Sequence, residues 1–85
     1  MTPFIRLHPQ DDVLIARTQL VGGVIIEDVI VRGIIPAGHK VATHGIASGE
    51  SVRRYNQIIG FASRAITAGE HVHTHNLVVA SRMIA

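Results

Sequence analysis

Ile35-Pro36-Ala37-Gly38-His39-Lys40-Val41, Ile46-Ala47-Ser48-Gly49-Glu50-Ser51-Val52 and Ile66-Thr67-Ala68-Gly69-Glu70-His71-Val72 repeat one pattern, Ile-x-small-Gly-x-x-Val. The copies start 11 and 20 residues apart, which is no solenoid period. Each reads as a tight turn. Glycine supplies the positive φ that branched neighbours avoid, and the flanking apolar residues anchor the turn to a core. Leu20-Val21-Gly22-Gly23-Val24 is a looser fourth instance. Pro36 is expected at the second position of its turn, presetting φ, with Gly33 and Gly38 bracketing a loop that delivers His39 and Lys40 to a defined place.

Short strand candidates lie around these turns. Phe4–Leu7 and Val13–Arg17 form an N-terminal hairpin across residues 8–12, and Val24–Ile26 and Val29–Val31 flank Glu27-Asp28. Lys40–Thr43, Ser51–Arg53, Ile58–Ala62 and His71–His73 complete the set, with one helical turn admissible at Ser51–Tyr55. Asn56 tolerates the left-handed region and marks a turn before Gln57. Periodicity leaves the buried face of residues 29–34 open, since valines alternate with isoleucines there. No segment carries a sustained helical stripe, so the fold class is all-β.

Composition agrees. Isoleucine (12) and valine (10) make up 22 of 85 residues, against 3 aromatics, and branched side chains suit a pleated surface. The length holds one domain, residues 1–85, with its core at about 4–76 and residues 77–85 as a last strand or the start of a linker. Few aromatics and scattered basic residues argue against nucleic acid as a partner. Cysteine is absent, so thiolate catalysis and Cys-type metal sites are excluded. No apolar run approaches the roughly 20 residues of a bilayer span and no signal peptide is evident, so a cytoplasmic location without a membrane partner is expected. Exposed Ile and Val on so small a domain favour self-association.

The chemistry-bearing residues fall in three places. His71, His73 and His75 alternate, so they share one side while an extended strand persists, and imidazole suits Zn, Fe, Mn or Ni. His39-Lys40 pairs a group that titrates near neutrality with a compact cation. Arg53-Arg54-Tyr55-Asn56 offers guanidinium groups for a carboxylate and a phenol. Asp11, Asp12, Glu27 and Asp28 sit as adjacent pairs near turns and read as solvating residues.

Four stretches, in order, carry a resemblance: Pro36-Ala37-Gly38-His39-Lys40-Val41-Ala42, Ile46-Ala47-Ser48-Gly49-Glu50, Arg54-Tyr55-Asn56-Gln57-Ile58-Ile59-Gly60, and Ala68-Gly69-Glu70-His71-Val72-His73-Thr74-His75-Asn76. From about Phe4 to Asn76 the chain resembles the SAF domain of the altronate/galactarate dehydratase family, with Tyr55-Asn56 where that family usually has Tyr-Gly. The resemblance implies a compact β-clip, SAF-like domain. It implies a role as the small subunit or N-terminal domain of a sugar-acid hydro-lyase, inactive alone, whose His/Lys loops complete or cap the active site of a larger partner. A divalent metal, Fe2+ or Mn2+, is implied for the assembled enzyme. The alternatives are a stand-alone carbohydrate- or carboxylate-binding module and the small subunit of a sulfolactate sulfo-lyase. Under this reading His39, Lys40 and Tyr55 are expected to be catalytic. Arg54, Asn56 and Asn76 are expected to bind substrate, and His71, His73 and His75 to hold metal.

Overall fold

The computed structural model describes residues 2–79. These residues form nine short strands: β1 (Phe4–Ile5), β2 (Val13–Ala16), β3 (Ile25–Ile26), β4 (Val29–Ile30), β5 (Lys40–Ala42), β6 (Ser51–Arg54), β7 (Gln57–Ala62), β8 (His71–Val72) and β9 (Leu77–Val79). They pair antiparallel into a four-stranded sheet β1-β2-β5-β8, a hairpin β3-β4 and a three-stranded sheet β6-β7-β9. The all-β expectation holds. The helical turn admitted at Ser51–Tyr55 does not form: β6 runs through it and buries Val52. Leu77–Val79 is a strand, and the remainder of the 77–85 stretch lies outside the described residues.

The central sheet is covered on both faces. On β2 and β5, Val13 and Ala42 face one apolar cluster with Ile46, Val52, Ile66, Val72 and Leu77. Leu14 and Val41 face a second with Leu20, Ile26, Val31 and Ile35. Alternation along a strand sends neighbours to opposite faces, so two adjacent residues serve two cores. Each fully buried aliphatic side chain contributes about 1.5–3 kcal/mol. The ambiguity at residues 29–34 also resolves: Val31 is buried and Val29 packs on the second cluster, while Ile30 and Ile34 are exposed.

The repeated pattern is one turn used four times. The amide N–H of Val24, His39, Glu50 and Glu70 donates to the carbonyl of Val21, Pro36, Ala47 and Thr67, respectively. The glycine between takes φ of 95° (Gly23), 83° (Gly38), 88° (Gly49) and 87° (Gly69), the third-position conformation of a type II turn. Pro36 is therefore the first residue of its turn and not the second: the glycine must occupy the third position, which fixes the count. Isolated bridges Leu20↔Ile35 and Ile46↔Ile66 join the turn entrances in pairs.

Asp11, Asp12 and Glu27 are structural joints rather than solvating residues, whereas Asp28 is exposed as expected. Asp11 is 4% exposed, and its carboxylate accepts the N–H groups of Tyr55 and Asn56, both at 2.7 Å. Those two residues turn the β6-β7 hairpin with φ of 56° and 58°. Left-handed backbone costs a non-glycine residue roughly 1–2 kcal/mol, and two charge-assisted hydrogen bonds offset this. Asp12 accepts Arg53 N–H at 2.7 Å and so ties β2 to β6. Glu27, in the β3-β4 turn at φ 46°, is gripped by the Arg6 guanidinium at 2.7–3.1 Å.

Replacing Asp11 leaves two turn amides without their acceptor. Asp11→Ala is expected to lower unfolding free energy by about 3 kcal/mol in urea titration, and the exposed-turn substitution Asp28→Asn by less than about 0.5 kcal/mol. Equal effects would contradict the joint.

Candidate metal centre

Two turns deliver the imidazoles. Gly38 ends its turn into His39, whose carbonyl accepts Ala16 N–H at 2.9 Å, holding it beside β2. Gly69 ends another turn into Glu70 and His71. β5 and β8 then pair Val41 with His71 and Lys40 with Val72. This register brings together side chains 32 residues apart: His39 Nδ1 lies 2.9 Å from His71 Nε2, so one ring donates and the other accepts. The strand does not persist past Val72, and residues 73–76 form a turn. That turn still returns His73 to the group, its ring centroid 4.5 Å from His39 and 5.5 Å from His71.

Asn76 holds this loop. It is fully buried, its Oδ1 accepts His73 N–H at 2.9 Å, and its Nδ2 donates to the His71 carbonyl at 2.9 Å. Its amide, expected to bind substrate, is engaged by the loop backbone on both its oxygen and its nitrogen. Glu70 is committed too: its carboxylate accepts Thr67 N–H at 2.9 Å.

One nitrogen from each of His39, His71 and His73 lies within 4.8 Å of the others. A metal with Zn- or Fe-type bonds of about 2.1 Å needs its nitrogens about 3.0–3.4 Å apart. The present separations, up to 4.8 Å, are wider than that, so holding an ion would require the rings to turn inward. Of the expected set His71 and His73 lie in this group with His39; His75 is, like His73, exposed and has its ring centroid 5.4 Å from His71, but its nitrogens are not part of the three-way cluster. The donor set is three imidazoles without a carboxylate, which suits Fe2+ or Zn2+ better than Mn2+ or Mg2+.

Lys40 points to the other face of the sheet from His71, although its charge is among those that depress the His71 pKa. Alternation along β5 puts it on the Ala42 face, opposite Val41, and burial followed by the nearby Arg54 charge depresses its pKa. Neither Lys40 nor Arg54 has an ion-pair partner among the described residues. Tyr55 is 69% exposed, and it and Asn56 turn over Asp11 at the other end of β2 from the His39 carbonyl. The structure brings the imidazoles together and leaves the Tyr55 turn about 15 Å of strand away.

Sequence reasoning missed a second histidine arrangement. His44 Nδ1 lies 2.8 Å from the Gly45 carbonyl and Nε2 2.8 Å from Asp12 Oδ1, so both ring nitrogens serve as donors when protonated. It lines an open pocket of about 340 Å3 with Gln10, Asp12, Glu50 and Arg53. Its signal was Asp12 itself, read as a surface acid.

The two histidines titrate in opposite senses. Burial, then the neighbouring rings of His39, His75 and His73, pushes His71 below its ordinary 6.5. The Gly45 carbonyl, then Asp12, pushes His44 above 6.5. A depressed histidine withholds stability as pH falls below about 6.5, and a raised one withdraws it as pH climbs through its folded value. In melts of the metal-free protein between about pH 5 and 8, His71→Asn is expected to weaken the acid-side loss. His44→Asn is expected to weaken the alkaline-side loss; unchanged profiles would contradict both assignments.

The chain matches the family described as the altronate/galactarate dehydratase SAF domain over residues 2–80. It is 38% identical over 80 residues to an altronate dehydratase of Bacillus subtilis (strain 168), covering 89% of this chain and 16% of the relative. An altronate dehydratase of Escherichia coli (strain K12) is 38% identical over 77 residues, covering 86% and 16%. The (2R)-sulfolactate sulfo-lyase subunit alpha of Chromohalobacter salexigens is 45% identical over 47 residues, covering 55% of this chain and 50% of that subunit. The chain spans about one sixth of the length of the two dehydratases. With the all-β architecture and the motif loops in place, the match over residues 2–80 establishes that the chain belongs to the altronate/galactarate dehydratase SAF domain family.

Proposed function

We propose that this chain serves as the SAF-domain component of a sugar-acid hydro-lyase and that its imidazoles complete a divalent-metal site at the edge of a larger catalytic partner. The observation that carries the reading is the convergence of His39, His71 and His73 from two separate turns. These three residues would hold the ion through neutral ring nitrogens. When bound, such an ion polarises a carboxylate or hydroxyl oxygen of the substrate and stabilises the charge that develops when the proton beside the carboxylate is removed. Three protein ligands leave positions open for substrate oxygens and for a partner's group.

This chain's own residues divide the remaining work. His71, held neutral near pH 7, is a nitrogen donor without needing to lose a proton first. Lys40 and Arg54 are cations without acidic partners among the described residues, on the sheet face away from His71, and are open to an anionic group of substrate or partner there. Among the described residues no acidic cluster lies beside the rings to act as base, which supports a partner supplying one. The relatives' greater length supports the same view. So does an exposed aliphatic face. Ile25 (68% exposed) and Ile30 (60%), paired across the β3-β4 ribbon, are exposed, as are the flanking Val21 (49%) and Ile34 (62%). The inner side of that ribbon meets the loop before His71, where Arg32 N–H donates to the Gly69 carbonyl at 3.0 Å.

The match to a sulfo-lyase subunit favours a second leaving group, sulfite in place of water, on the same scaffold. The isolated chain is expected to bind one Co2+ or Fe2+ per molecule in calorimetry. Affinity should fall roughly ten-fold or more in His39→Ala and His71→Ala and less in His75→Ala. The chain alone should turn over neither altronate nor sulfolactate. Metal binding that survives both His39→Ala and His71→Ala, or turnover by the lone chain, would contradict the proposal.

A further inference from the structure

We infer that Pro36 is the positioning residue that keeps His39 in the imidazole group. The warrant is a comparison of like turns within this one chain. In two of them the residue after glycine is a glutamate that folds back over its own turn. Glu50 Oε1 accepts the N–H of Ala47 at 2.6 Å, and Glu70 Oε1 accepts the N–H of Thr67 at 2.9 Å. The N–H of the turn's first residue thus lies within reach of an acceptor three positions on. In the third turn those two positions are Pro36 and His39.

Imidazole is a competent acceptor for that kind of donor. Elsewhere in the chain His8 Nδ1 accepts the backbone N–H of Gln10 at 3.0 Å. An ordinary residue at position 36 would offer His39 Nδ1 the bond that Glu50 and Glu70 make. Proline has no N–H, so the offer is withdrawn. His39 Nδ1 meets His71 Nε2 instead, at 2.9 Å. Pro36 therefore acts through the donor it lacks, with no contact to any ion. The consequence for metal affinity rests on the metal reading proposed above, whereas the consequence for ring geometry does not.

The test is Pro36→Ala in the whole chain, followed by NMR of the metal-free protein and by Co2+ titration. The His39–His71 ring contact is expected to weaken or vanish, and the amide at position 36 to exchange slowly as a bonded donor. Co2+ affinity is expected to fall roughly ten-fold. A second variant, Pro36→Ala with His39→Glu, rebuilds the arrangement of Glu50 and Glu70. It is expected to melt at or above the temperature of Pro36→Ala while binding no Co2+. A persisting His39–His71 contact with a fast-exchanging amide at position 36 overturns the inference. If the unaltered chain binds no Co2+, the metal reading falls, and the ring contact alone decides the role of Pro36.

Discussion

The antiparallel register of β5 against β8 is the constraint on which the site depends. Val41 faces His71 and Lys40 faces Val72. A slip of one residue would exchange the faces of His71 and Val72, burying an imidazole and exposing a core valine. Val72 and Val41 are fully buried in different clusters, so both cores resist the slip. Packing on two faces thus sets the position of a polar group that belongs to neither core. The backbone around the strands adds the same restraint, since Gly69 N–H donates to the Ala42 carbonyl and Ala42 N–H to the Glu70 carbonyl.

Close packing also explains why a turn so near the site uses glycine. A Cβ on Gly69 would collide with the Ile30 carbonyl, and its φ of 87° disfavours side chains in any case. The β3-β4 ribbon can therefore press directly against the loop that feeds His71. The remaining fixed points are polar. Asp11 holds the Tyr55 turn, Asp12 joins β2 to β6, and Asn76 clamps the two histidine backbones. Buried groups of this kind are costly when half-satisfied, so each ties a loop to one geometry.

The local signals were legible in the sequence, and the long-range ones were not. Glycine after a small residue announced the four turns, because positive φ is a demand that a single residue reveals. The hairpin across Glu27-Asp28 and the turn at Asn56 were legible for the same local reason. The partner of His39 was not, since strand pairing across 32 residues leaves no mark in spacing alone. Alternation pointed to His71, His73 and His75 as one set. The strand ended after Val72, and a turn put His73 in the group and His75 at its edge. Asp11 was misread because a short polar residue beside a turn looks the same whether it faces water or fills a buried joint. Pro36 was misplaced by one position because proline's preference for the second place in a turn was weighed above glycine's need for the third.

A small β domain with two thin cores has little interior in which to build a site. This one assembles its imidazoles at the sheet edge, from turn exits, where each ring's position is set by backbone bonds. The most direct measurement of that account is an anomalous-scattering map from crystals of the Co2+-loaded chain. The account predicts one peak bonded to nitrogens of His39, His71 and His73. A peak held by His75 or His44 without His39, or no ordered peak at full loading, would contradict it.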